Sequence, residues 1–365
     1  WAAVQPVAFP RLYLASGLTT IRTAGAMEPV NELQIKRAIE EGRMAGPDID
    51  VTGPYLEGPG SWLTQAEPVE TAEEARRIVN FWADQGATSF KAYNYVSREV
   101  LGAAADEAHK RGLKITGHLC SVTFAEAADL GVDDLEHGLS AATDFLADKK
   151  PDECPEYRWA PHVAGLDVDS EAVQSLIAKL VENDVAITST LAVLADFGSH
   201  QKHPTPQSLE VRTGDARARY LERKERALAA VAEGRSKNDE AVAVEMAFER
   251  AFVEAGGLLV SGSDPTGIGG VIAGFGSLWQ VEMLVEAGFT PLEALKISSY
   301  NGAQYLGRLD EIGTLAPGKR ADIVLVRGNP DETIADIQKV ETVFRDGVGY
   351  DSKKLIESTK DLVGR

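Results

Sequence analysis

Cysteine is scarce in this chain: Cys120 and Cys154 are the two present in 365 residues, too few for the disulfide framework of a small secreted domain. Cys120 follows an apolar run and reads as a buried thiol. No apolar stretch has the length of a membrane-spanning helix. Positive charge is also short, with 37 Lys and Arg against 56 Asp and Glu, a net charge of −19. Such a surface repels phosphate backbones and anionic lipid, so neither nucleic acid nor a membrane is expected as a partner. A small-molecule substrate and a homo-oligomer are expected instead. No signal peptide is recognisable, and the chain opens on Trp1 rather than Met. Localisation is therefore not legible, with the cytoplasm as the working expectation.

What is present is ordinary globular composition, 44% hydrophobic and 25% charged, in a chain long enough for one large core and a small accessory unit. Strand and helix patterns alternate along it. Leu18–Ala24, Asp50–Leu56, Thr88–Tyr93, Lys114–Leu119, Asp134–Leu139, Val185–Leu191 and Gly257–Asp264 read as strands. Helices are expected over Asn31–Gly42, Thr71–Gly86, Ser97–Gly112, Thr123–Gly131 and Ser170–Asp184, most of them stopped by Gly or Asn-Asp just before the next strand. This alternation predicts an α/β fold with a parallel sheet and outer helices.

An open doubly wound sheet fits the alternation too. Two observations favour a (β/α)8 TIM barrel. No Gly-rich dinucleotide fingerprint follows the first strand, and the polar oddities cluster at the strands' C-terminal ends, where such barrels place their active sites. Two insertions, Ser140–Asp169 and Ala192–Arg250, would lie over that face. The second carries HQKHPTPQ and a charged helix expected near Leu209–Glu233. Residues 1–306 form the barrel unit in this reading. Residues 307–365 form part of an accessory β-sandwich, with strands at Gly313–Val326 and Val340–Asp346 whose partner strands are not in the tail itself.

Four side chains at or near strand ends carry the chemistry: Lys91 in SFKAY, His118 in GHLC, His137 in EHG and Asp264 in SGSDPTG. A lone histidine is usually a satisfied core residue; two on consecutive strands are harder to dismiss, and Asp264 ends an apolar strand where a carboxylate must be solvated, paired or metal-bound. Together they give a nitrogen and oxygen donor set of the kind Zn²⁺ takes. A divalent metal there polarises a carbonyl and lowers the pKa of water toward ~7, and a nearby carboxylate accepts the proton.

The runs KAYNYVSREVLGAAADEAHKRGLKITGHL, AADLGVDDLEHG, SGSDPTG and NGAQYLGRLDEIGTLAPGKRADIVLV resemble the amidohydrolase superfamily, in its imidazolonepropionase-like and prolidase-like branch. The likeness extends from about Leu18 to about Asp351. It implies a metal-dependent hydrolase of an amide or peptide-like C–N bond in a dipeptide, N-acyl amino acid or cyclic amide, with one or two divalent ions, zinc being expected. It also implies that Lys91 takes up CO₂ as a carbamate bridging two metals, that His118 and His137 ligate the second metal, and that Asp264 ligates the first and acts as general base.

The family also carries a His-x-His pair on its first barrel strand, and none occurs here. Matching the GLTT run to the family's second strand leaves the first strand and the N-terminal sandwich strands outside this chain. The expectation is that roughly 50–80 residues, carrying His-x-His, precede Trp1.

LEGP in TGPYLEGPG resembles N-acetylglucosamine-6-phosphate deacetylases, where the glutamate binds metal. Glu57 is thus a possible ligand, against the alternative of a turn residue between glycines. Tyr93 and Tyr95 are possible substrate contacts, as are the insertion histidines His162, His200 and His203. His109 reads as structural. The rival functions are a deacetylase using Glu57 and a barrel scaffold without catalysis.

Overall fold

A computed structural model describes residues 5–61, 63, 66, 68–200, 204–266 and 269–364. Two parallel ladders form its centre. Thr20–Arg22 (β1) pairs with Asp48–Asp50 (β2). Thr52–Leu56 (β3), Ser89–Ala92 (β4), Lys114–Gly117 (β5), Asp134–Glu136 (β6), Ala186–Ser189 (β7) and Leu259–Ser261 (β8) form a six-stranded sheet in chain order. Helices such as Ala72–Gln85, Arg98–Lys110 and Glu171–Glu182 connect the strands. Consecutive parallel neighbours with helical crossovers make the wall of a barrel-type α/β fold. Among the described residues, β1 has a ladder partner only in β2, and β8 only in β7.

The alternation of side chains along the strands sorts the core. Phe90, Ile115, Leu135, Ile187 and Leu259 face outward into one large cluster with helix residues such as Val79, Leu101 and Leu180. The residues between them, Lys91, Thr116, Glu136 and Thr188, point to the opposite face, as a period of two requires. That inner face is polar and buried. Asp134 accepts from Thr116 Oγ1 at 2.9 Å, from Thr188 Oγ1 at 2.8 Å and from the Arg22 guanidinium at 2.7 Å.

Helix boundaries follow the local chemistry. Thr71 and Glu74 form a reciprocal capping box, and Gly86 ends that helix in the left-handed conformation at φ 105°. Ser97 accepts from the Val100 N–H, as its position before the helix predicts.

Several expectations are corrected. The strand read over Asp50–Leu56 starts earlier and is interrupted: the pairing slips by one residue between Thr52 and Tyr55, at Gly53-Pro54, where proline has no N–H to donate. The charged helix begins at Gly214 rather than Leu209, because Thr213 caps it. A further helix, Asn238–Glu254, lies between β7 and β8, and a helix over Phe9–Ala15 precedes β1. In the tail, Ile323–Val326 (β9), Val340–Arg345 (β10) and Val348–Asp351 (β11) pair with one another as an antiparallel sheet of order β11-β10-β9. The tail thus supplies partner strands of its own, because the unread β11 returns against β10 after a turn at Asp346-Gly347, both at positive φ.

The cysteine reading is also overturned. Cys120 and Cys154 form a disulfide that ties the end of β5 to the 140–169 insertion. Their separation of 34 residues hides the contact from a sequence reading.

Candidate active site

The functional side chains sit at the strands' C-terminal ends because the ladders run one residue beyond each strand. Tyr93 N donates to Leu56 O at 2.9 Å, His118 N to Ala92 O at 3.1 Å and His137 N to Thr188 O at 3.1 Å. These bonds hold the residues following β4, β5 and β6 on one rim. All three line a cavity of about 1730 Å³, together with Lys91, Glu136 and Asp264.

The His118 and His137 rings meet edge to face with centroids 4.6 Å apart, and His118 also packs against Tyr93 at 4.9 Å. Burial drives both imidazoles to the neutral form. The His137 pKa falls to about 3, and His118 drops well below the usual histidine range, with the neighbouring His137 and Lys91 charges adding to the effect. His137 Nδ1 shares a hydrogen bond with Thr190 Oγ1 at 2.7 Å, which orients the ring. His137 itself takes φ 68°, a left-handed backbone rare outside glycine. The turn behind it is held by Glu245, whose carboxylate accepts the N–H groups of Leu139 and Ser140 at 3.0 Å each.

Lys91 reaches from the middle of β4 into the polar interior and is ion-paired with Glu136. Burial lowers its pKa to about 7 against the opposing attraction of Asp264. A buried ammonium is penalised relative to its neutral amine, so near neutrality both forms coexist. Asp264, three residues past β8, has φ 39°. Burial raises its pKa, while Lys91 and the Thr266 hydroxyl oppose that shift. Tyr93 lies between the tilted rings of Tyr55, at 5.0 Å, and His118, and burial pushes its phenol up to about 12, so it remains a hydrogen-bond donor at neutral pH.

The donor chemistry suits a divalent cation: two neutral imidazoles side by side, with a carboxylate and a poised amine on the same cavity. Among the described residues, no three His, Cys, Asp or Glu side chains are gathered closely enough to hold a metal ion by themselves.

Other expected contacts fall elsewhere. Glu57 is buried, and its carboxylate is occupied by three donors: Tyr95 N at 2.6 Å, Gly58 N at 2.9 Å and Ser61 Oγ at 2.9 Å. These bonds organise the loop after β3, the role of a turn residue, and leave Tyr95 lining the cavity. His162 packs edge-on behind Tyr157 at 5.7 Å, and His200 bonds Glu286 at 3.0 Å; neither lines the cavity. Their partners are Tyr157 and Glu286 rather than the substrate space, and insertion loops carry no periodicity from which such an orientation can be read. His203 lies outside the described residues. His109 bonds Asp133 at 3.0 Å, away from the cavity, as a structural residue would.

Glu136 and Glu245 were missed by sequence reasoning. Glu136 adjoins His137 in EHG, a signal that was available; Glu245 is far away in the chain and gives none.

The chain resembles known proteins along most of its length. A bottromycin amidohydrolase structure superposes with a TM-score of 0.70 at 22% identity, covering 94% of this chain and 74% of that one. A structure described as a putative prolidase from Bifidobacterium longum gives 0.66 at 22% identity, covering 98% and 81%. Adenine deaminase 1 of Carboxydothermus hydrogenoformans is 39% identical over 69 residues, 19% of this chain and 10% of that protein. The match thus spans only a small part of that relative's length. The sequence pattern of the amidohydrolase family, by contrast, covers residues 13–348, and on that extent the chain belongs to the amidohydrolase family.

Proposed function

We propose that this protein is a metal-dependent hydrolase of an amide or peptide-like C–N bond in a small molecule. The observation that carries the reading is the convergence of Lys91, His118, His137 and Asp264 on one cavity at the strands' C-terminal ends, with Lys91 held near pKa 7. Families on this fold place their chemistry at that face.

In this reading His118 and His137 hold a divalent cation, zinc by the preference of neutral imidazole, with Lys91 as a third arm if its amine takes up CO₂. When bound, the cation supplies Lewis-acid polarisation of the substrate carbonyl and lowers the pKa of water. Asp264 accepts the proton of the attacking water and returns it to the leaving nitrogen. Tyr93, protonated at neutral pH, donates to the substrate carbonyl oxygen. Thr190 and Glu245 keep His137 in one orientation. A Lys91 carbamate requires the neutral amine, which burial favours and the Glu136 ion pair opposes.

Metal analysis combined with a screen of dipeptides, N-acyl amino acids and cyclic amides tests the reading. Metal in stoichiometric amount with hydrolysis of at least one such class is expected. A protein that binds no divalent metal and cleaves none of them is a barrel scaffold.

A further inference from the structure

The wall of the cavity opposite the polar interior is built by the two insertions. The disulfide fixes Cys154 to Cys120, two residues beyond His118. The chain from Cys154 onward is therefore held at the rim, and the Tyr157 hydroxyl donates to Ser140 O at 3.4 Å. Ser140 in turn donates its own hydroxyl to His137 O at 2.7 Å. The helix Leu191–Asp196 starts directly after Thr190, the residue bonded to His137, and brings Val193 and Leu194 to the cavity. Trp159 and Phe197 meet edge to face at 6.5 Å across the two insertions. Tyr157, Trp159, Val193, Leu194 and Phe197 thus line the cavity from the two insertions that are anchored next to the histidine pair, through Cys120 and Ser140 on one side and Thr190 on the other.

The charges around this surface point the same way. The Lys and Arg side chains that line the cavity among the described residues are Arg22, Lys91, Lys296 and Arg320. Arg22 is bound to Asp134, Lys91 to Glu136, and Arg320 to Asp48 at 2.9 Å where β2 begins. Lys296 lies over the Tyr300 ring at 5.6 Å, next to Asn301, which donates to Leu259 O where β8 begins. The two latter cations thus belong to the opposite end of the strands. At the catalytic rim the apolar wall is joined by the exposed carboxylate of Glu156. Among the described residues the wall itself offers a substrate carboxylate no free Lys or Arg to pair with; burying one against these apolar atoms is costly, and Glu156 repels it further.

We propose that this wall is a subsite for an apolar, uncharged substituent of the substrate, aromatic or branched aliphatic, adjoining the scissile bond in place of a free carboxylate. The proposal deepens the amide-hydrolase reading and rests on it. Small-molecule sites are commonly built this way, with apolar walls around a few placed polar groups.

Leucyl-leucine and leucine isopentylamide differ only by the C-terminal carboxylate and provide the test. The metal-loaded protein is assayed for kcat/KM with each, and binding of each is measured by calorimetry, with Phe197→Ala and Trp159→Ala as variants. The isopentylamide should be preferred at least tenfold, about 1.4 kcal/mol, and both variants should reduce that preference mainly through KM. A preference for leucyl-leucine, or none, overturns the subsite while leaving the hydrolase reading intact. If neither compound is cleaved, tighter binding of the isopentylamide that is lost in Phe197→Ala supports the subsite and counts against hydrolysis. Equal or weaker binding overturns the subsite.

Discussion

Lys91 and Glu136 form an ion pair inside the sheet, with both side chains 3% exposed. The two residues stand on β4 and β6 and face each other across Thr116, whose hydroxyl also donates to Glu136 at 3.1 Å. A buried ammonium among carboxylates, Glu136 in contact and Asp264 and Asp134 acting through space, is balanced between desolvation and attraction. Lys91 is thus positioned to switch between charged and neutral forms.

Replacing Lys91 by Ala should lower metal content and activity together, and bicarbonate with a short carboxylic acid should restore part of both. Glu136→Gln removes the carboxylate in direct contact with the amine, one of the attractions that favour its protonated form. Incorporation of isotopically labelled bicarbonate, followed by NMR, should then occur at lower pH than in the unaltered protein. Equal labelling profiles would show that the pair does not govern CO₂ uptake, and unchanged metal content and rate in Lys91→Ala would remove the lysine from the mechanism.

Asp264→Asn should cut kcat by a factor on the order of 10²–10⁴, the usual contribution of a positioned general base, with the circular dichroism spectrum preserved. Near-normal kcat at saturating metal would exclude Asp264 as the base.

Glu245 fixes the turn behind His137 through two backbone N–H groups. Glu245→Gln keeps one acceptor oxygen and loses the other. We expect a stability loss of about 1–3 kcal/mol and weaker metal retention by dialysis. A variant with unaltered denaturation midpoint and metal retention would assign the turn's stability elsewhere.

Glu249 accepts from Ser189 Oγ at 2.8 Å, and burial pushes its pKa up to about 8. A carboxyl raised in the folded state holds its proton there longer than in the unfolded chain. Its contribution to stability is therefore full below the unfolded value of 4.5 and is lost as pH rises toward about 8. Glu249→Gln should flatten that decline in a series of urea denaturations between those pH values. A decline of the same slope in the variant would assign it to other groups.

The Cys120–Cys154 bridge closes a loop with a sequence separation of 34 residues, which loop-closure entropy rates at about 4 kcal/mol. Reduction, or Cys154→Ser, should lower the thermal midpoint. Denatured, unreduced protein should show no titratable thiols; two thiols would refute the pairing.

The sequence by itself determined the parallel α/β architecture, because hydrophobic alternation and Gly stops recur at strand–helix spacing, and both are local signals. It also singled out Lys91, His118, His137 and Asp264, since polar groups at the ends of apolar strands stand out from their neighbours. Their meeting on one cavity was a consequence of parallel strands sharing an end. Tertiary structure decided what depends on partners distant in sequence. Glu57 reads from sequence as a possible ligand or a turn residue, and only the fold brings Tyr95, Gly58 and Ser61 to donate to its carboxylate. Glu136 adjoins a marked histidine, yet only the ladder brings it to Lys91. Cys120 reads as a free thiol until the insertion folds back over β5. His162 and His200 sit in insertions without periodicity, where packing alone determines the direction of a side chain.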